Sequence, residues 1–227
     1  MEGRIVGTAG NYLLSQCSKG LRKDKHYYLL RKNLETGDIT EQLVASHMQN
    51  SIIHGRYLYS LYATGEIIRH SIDDPDGDRH YMSEPMSTSN TKESTVFICP
   101  TFMCIWGKYL VVGIGSWCRE GKYMYLITDD EIQKVECKAS TGVVLAGLLY
   151  LGYRDGSICF MDESLEIHET DMRMPIIVQN GTESEFTLYK DGIFLYGKTF
   201  YGGYICKWRC SKLVYQHRIK KREGNFH

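Results

Sequence analysis

Apolar and aromatic residues occur along this chain in short runs that are separated by polar turn residues. The runs are too short for helices and are rich in tyrosine and β-branched residues, which favours β-strands. One stretch predicts four successive strands, at residues 101–106, 108–114, 122–127 and 131–138. The second and third of these are nearly all apolar, as in strands buried on both faces, whereas the fourth alternates polar and apolar positions. No segment has the period of an amphipathic helix, so the pattern predicts an all-β fold.

A short motif recurs at the start of the second strand of each such unit. It reads glycine, polar residue, tyrosine, leucine at Gly10, Gly55 and Gly107, and looser copies begin at Gly147 and Gly192. The glycines are 45, 52, 40 and 45 residues apart, close to the period of about 45 residues that is typical of propeller blades. Each glycine falls where the chain must reverse direction between strands, and a tight hairpin turn requires a positive φ there.

The repeat predicts one β-propeller domain over residues 1–227, with five four-stranded blades of contiguous sequence. The predicted blades cover residues 3–46, 47–94, 95–139, 140–174 and 175–220. Residues 73–94 contain Pro75, Gly77 and Pro85 and show no periodicity, so we expect an irregular insertion there. A basic tail is expected at 218–227.

One repeat resembles a known family. Residues 150–162 read Tyr-Leu-Gly-Tyr-Arg-Asp-Gly-Ser-Ile-Cys-Phe-Met-Asp, which is similar to the strand, Asp-Gly turn and strand of a WD40 repeat. Met161 and Asp162 stand in the Trp-Asp position of that unit, and Trp208 and Arg209 stand in the same position of the fifth. The resemblance implies four-stranded blades around a central channel, with the first strand of each blade innermost.

Composition and charge limit the classes of function that the sequence supports. Lys and Arg together number 27 and Asp and Glu also number 27, so no overall charge points to nucleic acid or to an acidic membrane. The first ten residues lack the apolar stretch of a secretory signal, and no apolar run is long enough to span a bilayer. We therefore expect a cytoplasmic or nuclear protein without membrane insertion. Its eight cysteines are then expected to be free thiols.

The sequence offers few groups for catalysis. The expected innermost strands hold one histidine, one glutamate and no aspartate, whereas glycoside hydrolysis requires two facing carboxyl groups. Gly113-Ile114-Gly115 lacks the third glycine of a dinucleotide site, and the pairs Cys99/Cys104 and Cys206/Cys210 have no matching second pair for zinc. His47 and His54 are expected at a turn or strand end. We predict a non-enzymatic protein with no cofactor and no bound metal.

The leading hypothesis is a protein-interaction scaffold, a subunit of a larger intracellular assembly. Exposed Trp and Arg on a rigid loop are typical of binding hot spots, and the loops between the second and third strands carry such residues. The protein-binding candidates are Trp117, Arg119, Phe200 and Tyr201. The alternative of RNA contact rests on two basic stretches, whose candidates are Lys19, Arg22, Lys23, Lys25, Lys220, Lys221 and Arg222. A third hypothesis is a propeller that binds or hydrolyses glycans through aromatic loop tips.

Overall fold

The computed structural model of this protein consists of strands and turns. It describes residues 2–21, 24–62, 65–82, 98–116, 121–176, 178–179, 182–183, 185–199 and 204–218. Those residues form five four-stranded antiparallel sheets and one two-stranded hairpin, and no helix occurs among them. In every sheet the strands follow one another in chain order, so each sheet is one contiguous repeat, as the sequence predicted.

The chain divides into two compact units, of which the first comprises Met1–Thr95 and contains two sheets. The strands of the first sheet are β1 (Glu2–Ala9), β2 (Tyr12–Lys19), β3 (His26–Asn33) and β4 (Ile39–Val44). Those of the second are β5 (Met48–His54), β6 (Tyr57–Tyr62), β7 (Ile67–Ser71) and β8 (Arg79–Met82). One apolar cluster joins the two sheets, with Leu14 and Leu29 from the first and Leu58 and Tyr62 from the second.

The second unit, Val96–His227, contains the other three sheets. The third sheet is formed by β9 (Ile98–Trp106), β10 (Tyr109–Ser116), β11 (Gly121–Ile127) and β12 (Ile132–Glu136). The fourth is formed by β13 (Ala139–Leu145), β14 (Leu148–Tyr153), β15 (Ile158–Met161) and β16 (Ile167–His168). A hairpin of β17 (Val178–Gln179) and β18 (Thr182–Glu183) follows. The fifth sheet is formed by β19 (Phe186–Asp191), β20 (Phe194–Thr199), β21 (Tyr204–Arg209) and β22 (Lys212–Arg218).

Both faces of the fourth sheet are buried within this unit. Trp106 and Met124 of the third sheet pack with Leu149 and Leu151 against one face. Phe186 and Trp208 of the fifth sheet pack with residues such as Ile158 against the other face. Met161 and Trp208, which occupy the Trp-Asp position of their repeats, are both buried at or near the end of a third strand.

The repeated glycines confirm their predicted role. Each lies in the two-residue turn between the first and second strands of its sheet, with φ of +54° at Gly10, +58° at Gly55, +55° at Gly107, +81° at Gly147 and +56° at Gly192. A Cβ at any of them would meet nothing within 4 Å. The backbone conformation, rather than close packing, therefore selects glycine at these turns.

The described part of the segment 73–94, residues 73–82, differs from the irregular insertion that we expected, and residues 83–94 lie outside the described residues. Its residues 79–82 form β8, which pairs with β7 as the fourth strand of the second sheet. The expectation was wrong there because Arg79 and His80 give this short strand no apolar alternation, and its position depends on pairing with β7. The turn before it follows the sequence signal, since Gly77 N–H donates to the carbonyl of Asp74 at 3.0 Å.

Candidate functional site

Most of the binding residues that the sequence proposed lie outside the described residues. Trp117, Arg119, Phe200 and Tyr201 belong to this group, as do Arg22, Lys23 and the tail residues Lys220, Lys221 and Arg222. Their roles stay predictions. Lys19 and Lys25 are described, and both lie at one end of the first sheet.

That end of the first sheet contains a pocket. In an antiparallel sheet of consecutive strands, the start of β1, the end of β2, the start of β3 and the end of β4 meet at the same end. The pocket there has a volume of about 390 Å³. Its lining residues come from these segments and are Gly3, Arg4, Gln16, Cys17, Ser18, Lys25, Tyr27 and His47.

Three basic side chains are among the residues that line this basic pocket. Arg4 and Lys25 are exposed cations, His47 is an exposed imidazole, and no Asp or Glu is among the eight lining residues. Guanidinium and ammonium groups bind carboxylates and phosphates through charge-assisted hydrogen bonds. The basic pocket can therefore hold an anionic group.

Lys19 is not part of this pocket, although it belongs to the same basic stretch. Its Nζ lies 2.5 Å from Glu41 Oε2 on β4, and this hydrogen bond raises the pKa of Lys19. The ion pair neutralises the charge of Lys19 locally. The sequence proposed several basic residues at 19–25 as binding candidates. Among those that the structure describes, Lys25 lines the pocket.

Gln16 forms hydrogen bonds with the segment that connects the first two sheets and fixes this segment beside the pocket. Its side chain is buried, its Oε1 accepts from the backbone N–H of Met48 at 3.2 Å, and its Nε2 donates to the carbonyl of Ser46 at 3.2 Å. These two bonds flank His47 on both sides. Gln16 is therefore a positioning residue for the imidazole of His47.

Tyr27 forms the middle of the site. Lys25 Nζ lies 5.6 Å from the centre of the Tyr27 ring, and the His47 ring lies 5.9 Å from it. A second depression of about 270 Å³ shares Lys25 and Tyr27 and is lined further by His26, Leu43, Val44 and Ala45. Two depressions of mixed polar and apolar lining thus adjoin one another, which suits an extended segment better than a single small ion.

The turn that leads from β2 toward Lys25 depends on glycine. Gly20 has φ of +102°, and a Cβ there would lie 2.2 Å from the carbonyl oxygen of Asp24. Asp24 N–H also donates to the carbonyl of Leu21 at 2.9 Å, which closes the turn. The backbone thereby brings Lys25 back to the sheet.

A second group of titratable residues in the first unit is buried. His70 Nδ1 lies 2.5 Å from Asp78 Oδ2, and Nε2 lies 2.6 Å from the Tyr62 hydroxyl. Gln42 Nε2 donates to the same carboxylate oxygen at 2.6 Å, and Arg31 Nη2 donates to Gln42 Oε1 at 2.7 Å. Tyr62 and His70 are each only 1% exposed, and burial raises the pKa of the Tyr62 hydroxyl. We interpret this chain as a structural network, because no substrate could reach its hydroxyl.

The remaining sequence arguments about chemistry can be compared with the structure. Among the described side chains, no three His, Cys, Asp or Glu residues are grouped as a metal site would require. The first strands of the sheets contain Glu2 and Asp191, which the predicted strand bounds left out, whereas Glu185, which those bounds included, lies just before β19. His54 ends β5 and His47 lies between β4 and β5, as expected.

In the part of the chain that the structure describes, no helix is long and apolar enough to cross a membrane.

Comparison with solved structures identifies the fold. The β-propeller domain of Cps50 (Swd1) from Myceliophteria thermophila aligns over 93% of this chain with a TM-score of 0.56 and 14% identity. BamB from Moraxella catarrhalis aligns over 97% with a TM-score of 0.62 and 10% identity. The chain has a β-propeller fold. It spans 71% of the first of these chains and 64% of the second. No protein-family model matches the sequence, and no curated protein matches it.

In this propeller the basic pocket lies where the first blade connects to the second. Lys25 lies just before β3 and His47 lies between β4 and β5, so connecting segments supply both residues while the strands supply Arg4 and Gln16. Loops on a rigid scaffold are where binding residues concentrate. The sequence signal for Lys25 was the basic stretch. Arg4, Gln16 and His47 lie outside that stretch and had no comparable signal, and Tyr27 follows it within a strand of apolar and aromatic residues.

Proposed function

We propose that this propeller is a non-enzymatic protein-interaction module of a multiprotein assembly, and that the basic pocket binds an acidic segment of its partner. The observation that carries the proposal is the lining of the pocket, which brings Arg4, Lys25 and His47 together around one cavity. The β-propeller fold supports it as a rigid platform, although the fold alone does not define a function.

The features of the pocket favour binding over catalysis. A general acid or base acts on a substrate within hydrogen-bonding distance, and in the titratable chain of Tyr62, His70 and Asp78 the first two side chains are buried. At the pocket, Arg4 and Lys25 supply fixed positive charge and Gln16 uses its amide to hold the backbone. These roles are recognition and positioning.

The same features favour a protein partner over RNA. Binding of single-stranded RNA relies on aromatic faces that are open to bases and on a row of cations along the backbone. The Tyr27 ring already contacts Lys25 and His47, and Lys19 is neutralised by Glu41. What is left is a compact cationic pocket beside a second depression that Leu43, Val44 and Ala45 help to line, which suits acidic and apolar side chains of one peptide.

The test is a binding titration with defined probes on the full chain. Fluorescence anisotropy would compare a labelled glutamate-rich peptide with a labelled oligouridine of similar length. Arg4→Glu and Lys25→Glu should each weaken peptide binding about tenfold or more, because each replaces an attraction by a repulsion. Lys32→Glu on β3 is the matched control, since Lys32 is exposed and does not line the pocket.

Equal peptide affinity in the pocket variants and the control would overturn the proposal. Tighter binding of oligouridine than of the peptide, lost in the same variants, would replace it with RNA recognition.

Affinity purification with mass spectrometry, repeated with Lys25→Glu, would then identify the partner. The cytoplasmic or nuclear address is part of the proposal, and microscopy of the tagged protein tests it.

A further inference from the structure

One face of the fifth sheet carries a continuous row of aromatic and cationic side chains. The register pairs Tyr189 with Tyr196, Tyr196 with Lys207 and Lys207 with Tyr215, so the row crosses all four strands. Leu188, Leu195 and Trp208 point to the opposite face, where they join the core shared with the fourth sheet. We call this row the tyrosine-lysine ladder.

The side chains of the ladder hold one another in place. The rings of Tyr189 and Tyr196 are stacked with centres 5.1 Å apart and planes 9° apart. Lys207 Nζ lies 3.6 Å from the centre of the Phe194 ring and 5.3 Å from that of Tyr196. On the outer strand, Tyr215 stacks with His217 at 6.2 Å. Rings that are ordered in advance lose little conformational entropy when a partner binds them.

The ladder is accessible and carries net positive charge. Tyr189 is 37% exposed and Tyr215 is 50% exposed. Because side chains alternate along a strand, Lys198 shares the face with Tyr196, and Arg209 shares it with Lys207. Both of these cations are exposed. By the same alternation, Asp191 is the acidic residue on this face. Tyrosine and arginine are enriched in protein interfaces relative to the rest of the protein surface.

We propose that the tyrosine-lysine ladder is a second docking surface, and that it binds an acidic surface of a folded protein partner. Carboxylates of the partner would pair with Lys198, Lys207 and Arg209, while the tyrosine hydroxyls donate to acceptors at the same interface. The surface lies in the second unit of the chain, and the basic pocket lies in the first. Each unit of the chain thereby carries one proposed site for an acidic partner.

Two other occupants fit the face less well. A base of RNA needs an open ring face, whereas Tyr196 is covered by Tyr189 on the adjacent strand and is contacted by Lys207. A second copy of this chain that docked through the same face would bring Lys198, Lys207 and Arg209 against identical cations. Like charges that face each other across an interface are strongly unfavourable. Charge complementarity therefore favours a different, acidic protein.

The experiment uses labelled poly-L-glutamate and the full chain that already carries Arg4→Glu and Lys25→Glu, so that binding in the basic pocket is removed. Adding Lys198→Glu and Arg209→Glu should weaken the remaining binding about tenfold or more. Tyr189→Ala with Tyr215→Ala leaves the charge unchanged and should weaken it about fivefold through lost ring contacts. Lys190→Glu is the matched control, because Lys190 is exposed on β19 and alternation directs it away from the ladder.

The outcomes separate this inference from the proposed function. If the pocket variants alone abolish binding of poly-L-glutamate, the ladder inference is overturned and the function of the pocket stands. Equal binding in the ladder variants and in Lys190→Glu also overturns it. Oligouridine that binds more tightly than poly-L-glutamate, with loss in the tyrosine variants, would assign the face to RNA. Sedimentation velocity that shows a dimer broken by Lys198→Glu and Arg209→Glu would assign it to a second copy.

Discussion

At the residue scale, the ring of Phe102 shows why two glycines inside strands are not part of a ligand site. A Cβ at Gly113 on β10 would lie 2.2 Å from Phe102 Cε1, and a Cβ at Gly142 on β13 would lie 2.5 Å from Cε2. The ring is buried in the core between the third and fourth sheets. Gly113, which belongs to a sequence resembling part of a dinucleotide motif, therefore makes room for an aromatic ring.

Replacing Gly113 by alanine should destabilise the protein by about 1–3 kcal/mol, because the new methyl group meets a ring that is confined on both sides. Urea denaturation followed by tryptophan fluorescence measures this loss. Gly3→Ala is the control, since a Cβ there would have its nearest contacts at 3.7 Å and 3.9 Å. A loss at Gly113 no larger than that at Gly3 would contradict the packing argument.

The buried pair of Arg31 and Asp78 is a second feature at this scale. The Arg31 side chain is 2% exposed, its Nη2 lies 3.9 Å from Asp78 Oδ1, and its Nε and Nη1 have no hydrogen-bond partner among the described residues. Burial alone would raise the pKa of Asp78. Hydrogen bonds from His70 and Gln42 and the charges of His70 and Arg31 outweigh burial and hold the pKa of Asp78 below its ordinary value of 3.8.

This pKa shift predicts acid sensitivity of the first unit. Because the pKa is lower in the folded state than in the unfolded state, the ionised carboxylate stabilises the fold above pH 3.8. That stabilisation is lost as the pH falls below 3.8 through the folded pKa. Urea denaturation at pH 7, 4 and 3 should show a steeper loss for the native chain than for Asp78→Asn. Parallel pH profiles for the two proteins would contradict this expectation.

At the scale of elements, the turn between β21 and β22 lacks the glycine that the turns between first and second strands have. Cys210 has φ of +47° and Ser211 has φ of +64°, so both central residues adopt the left-handed conformation. Type I′ hairpin turns require this conformation and strongly prefer Asn-Gly. The turn is therefore strained relative to Gly192, which has φ of +56° in the same sheet.

Replacing Cys210 by asparagine and Ser211 by glycine should stabilise the protein by about 1 kcal/mol, because both new residues adopt positive φ at lower cost. Thermal and urea denaturation would measure the gain. The reverse change, Gly192→Ala, should cost about as much, since only the backbone conformation selects glycine there. A destabilised Asn-Gly variant would show that this turn is held by contacts of the native side chains.

At the scale of the whole molecule, the same packing recurs between consecutive sheets. One apolar cluster joins the first and second sheets, another joins the third and fourth, and a third joins the fourth and fifth. Within each of the two units, the repeats thus bury apolar faces against their neighbours along the chain, as repeat architectures require. The two proposed binding surfaces, the basic pocket and the ladder, consist of residues that are not among the buried members of these three clusters.

The sequence by itself determined the strands and turns of this protein, because alternation of apolar residues and the need for positive φ are local properties. The motif from Gly10 to Gly192 placed every sheet, and the four strands predicted at 101–138 match β9 to β12 closely. β8 was not predicted, because Arg79 and His80 show no local alternation of apolar and polar residues. Pairing with β7 and the hydrogen bonds of Asp78 define the position of this strand.

Only the tertiary structure decided which side chains meet. Arg4, Gln16, Lys25 and His47 are spread over more than forty residues, and the meander of the first sheet brings them to one end. Tyr189, Tyr196, Lys207 and Tyr215 become a row only through the register of four strands. A local pattern specifies where a strand begins and ends, but register and sheet packing determine its neighbours, and binding surfaces consist of those neighbours.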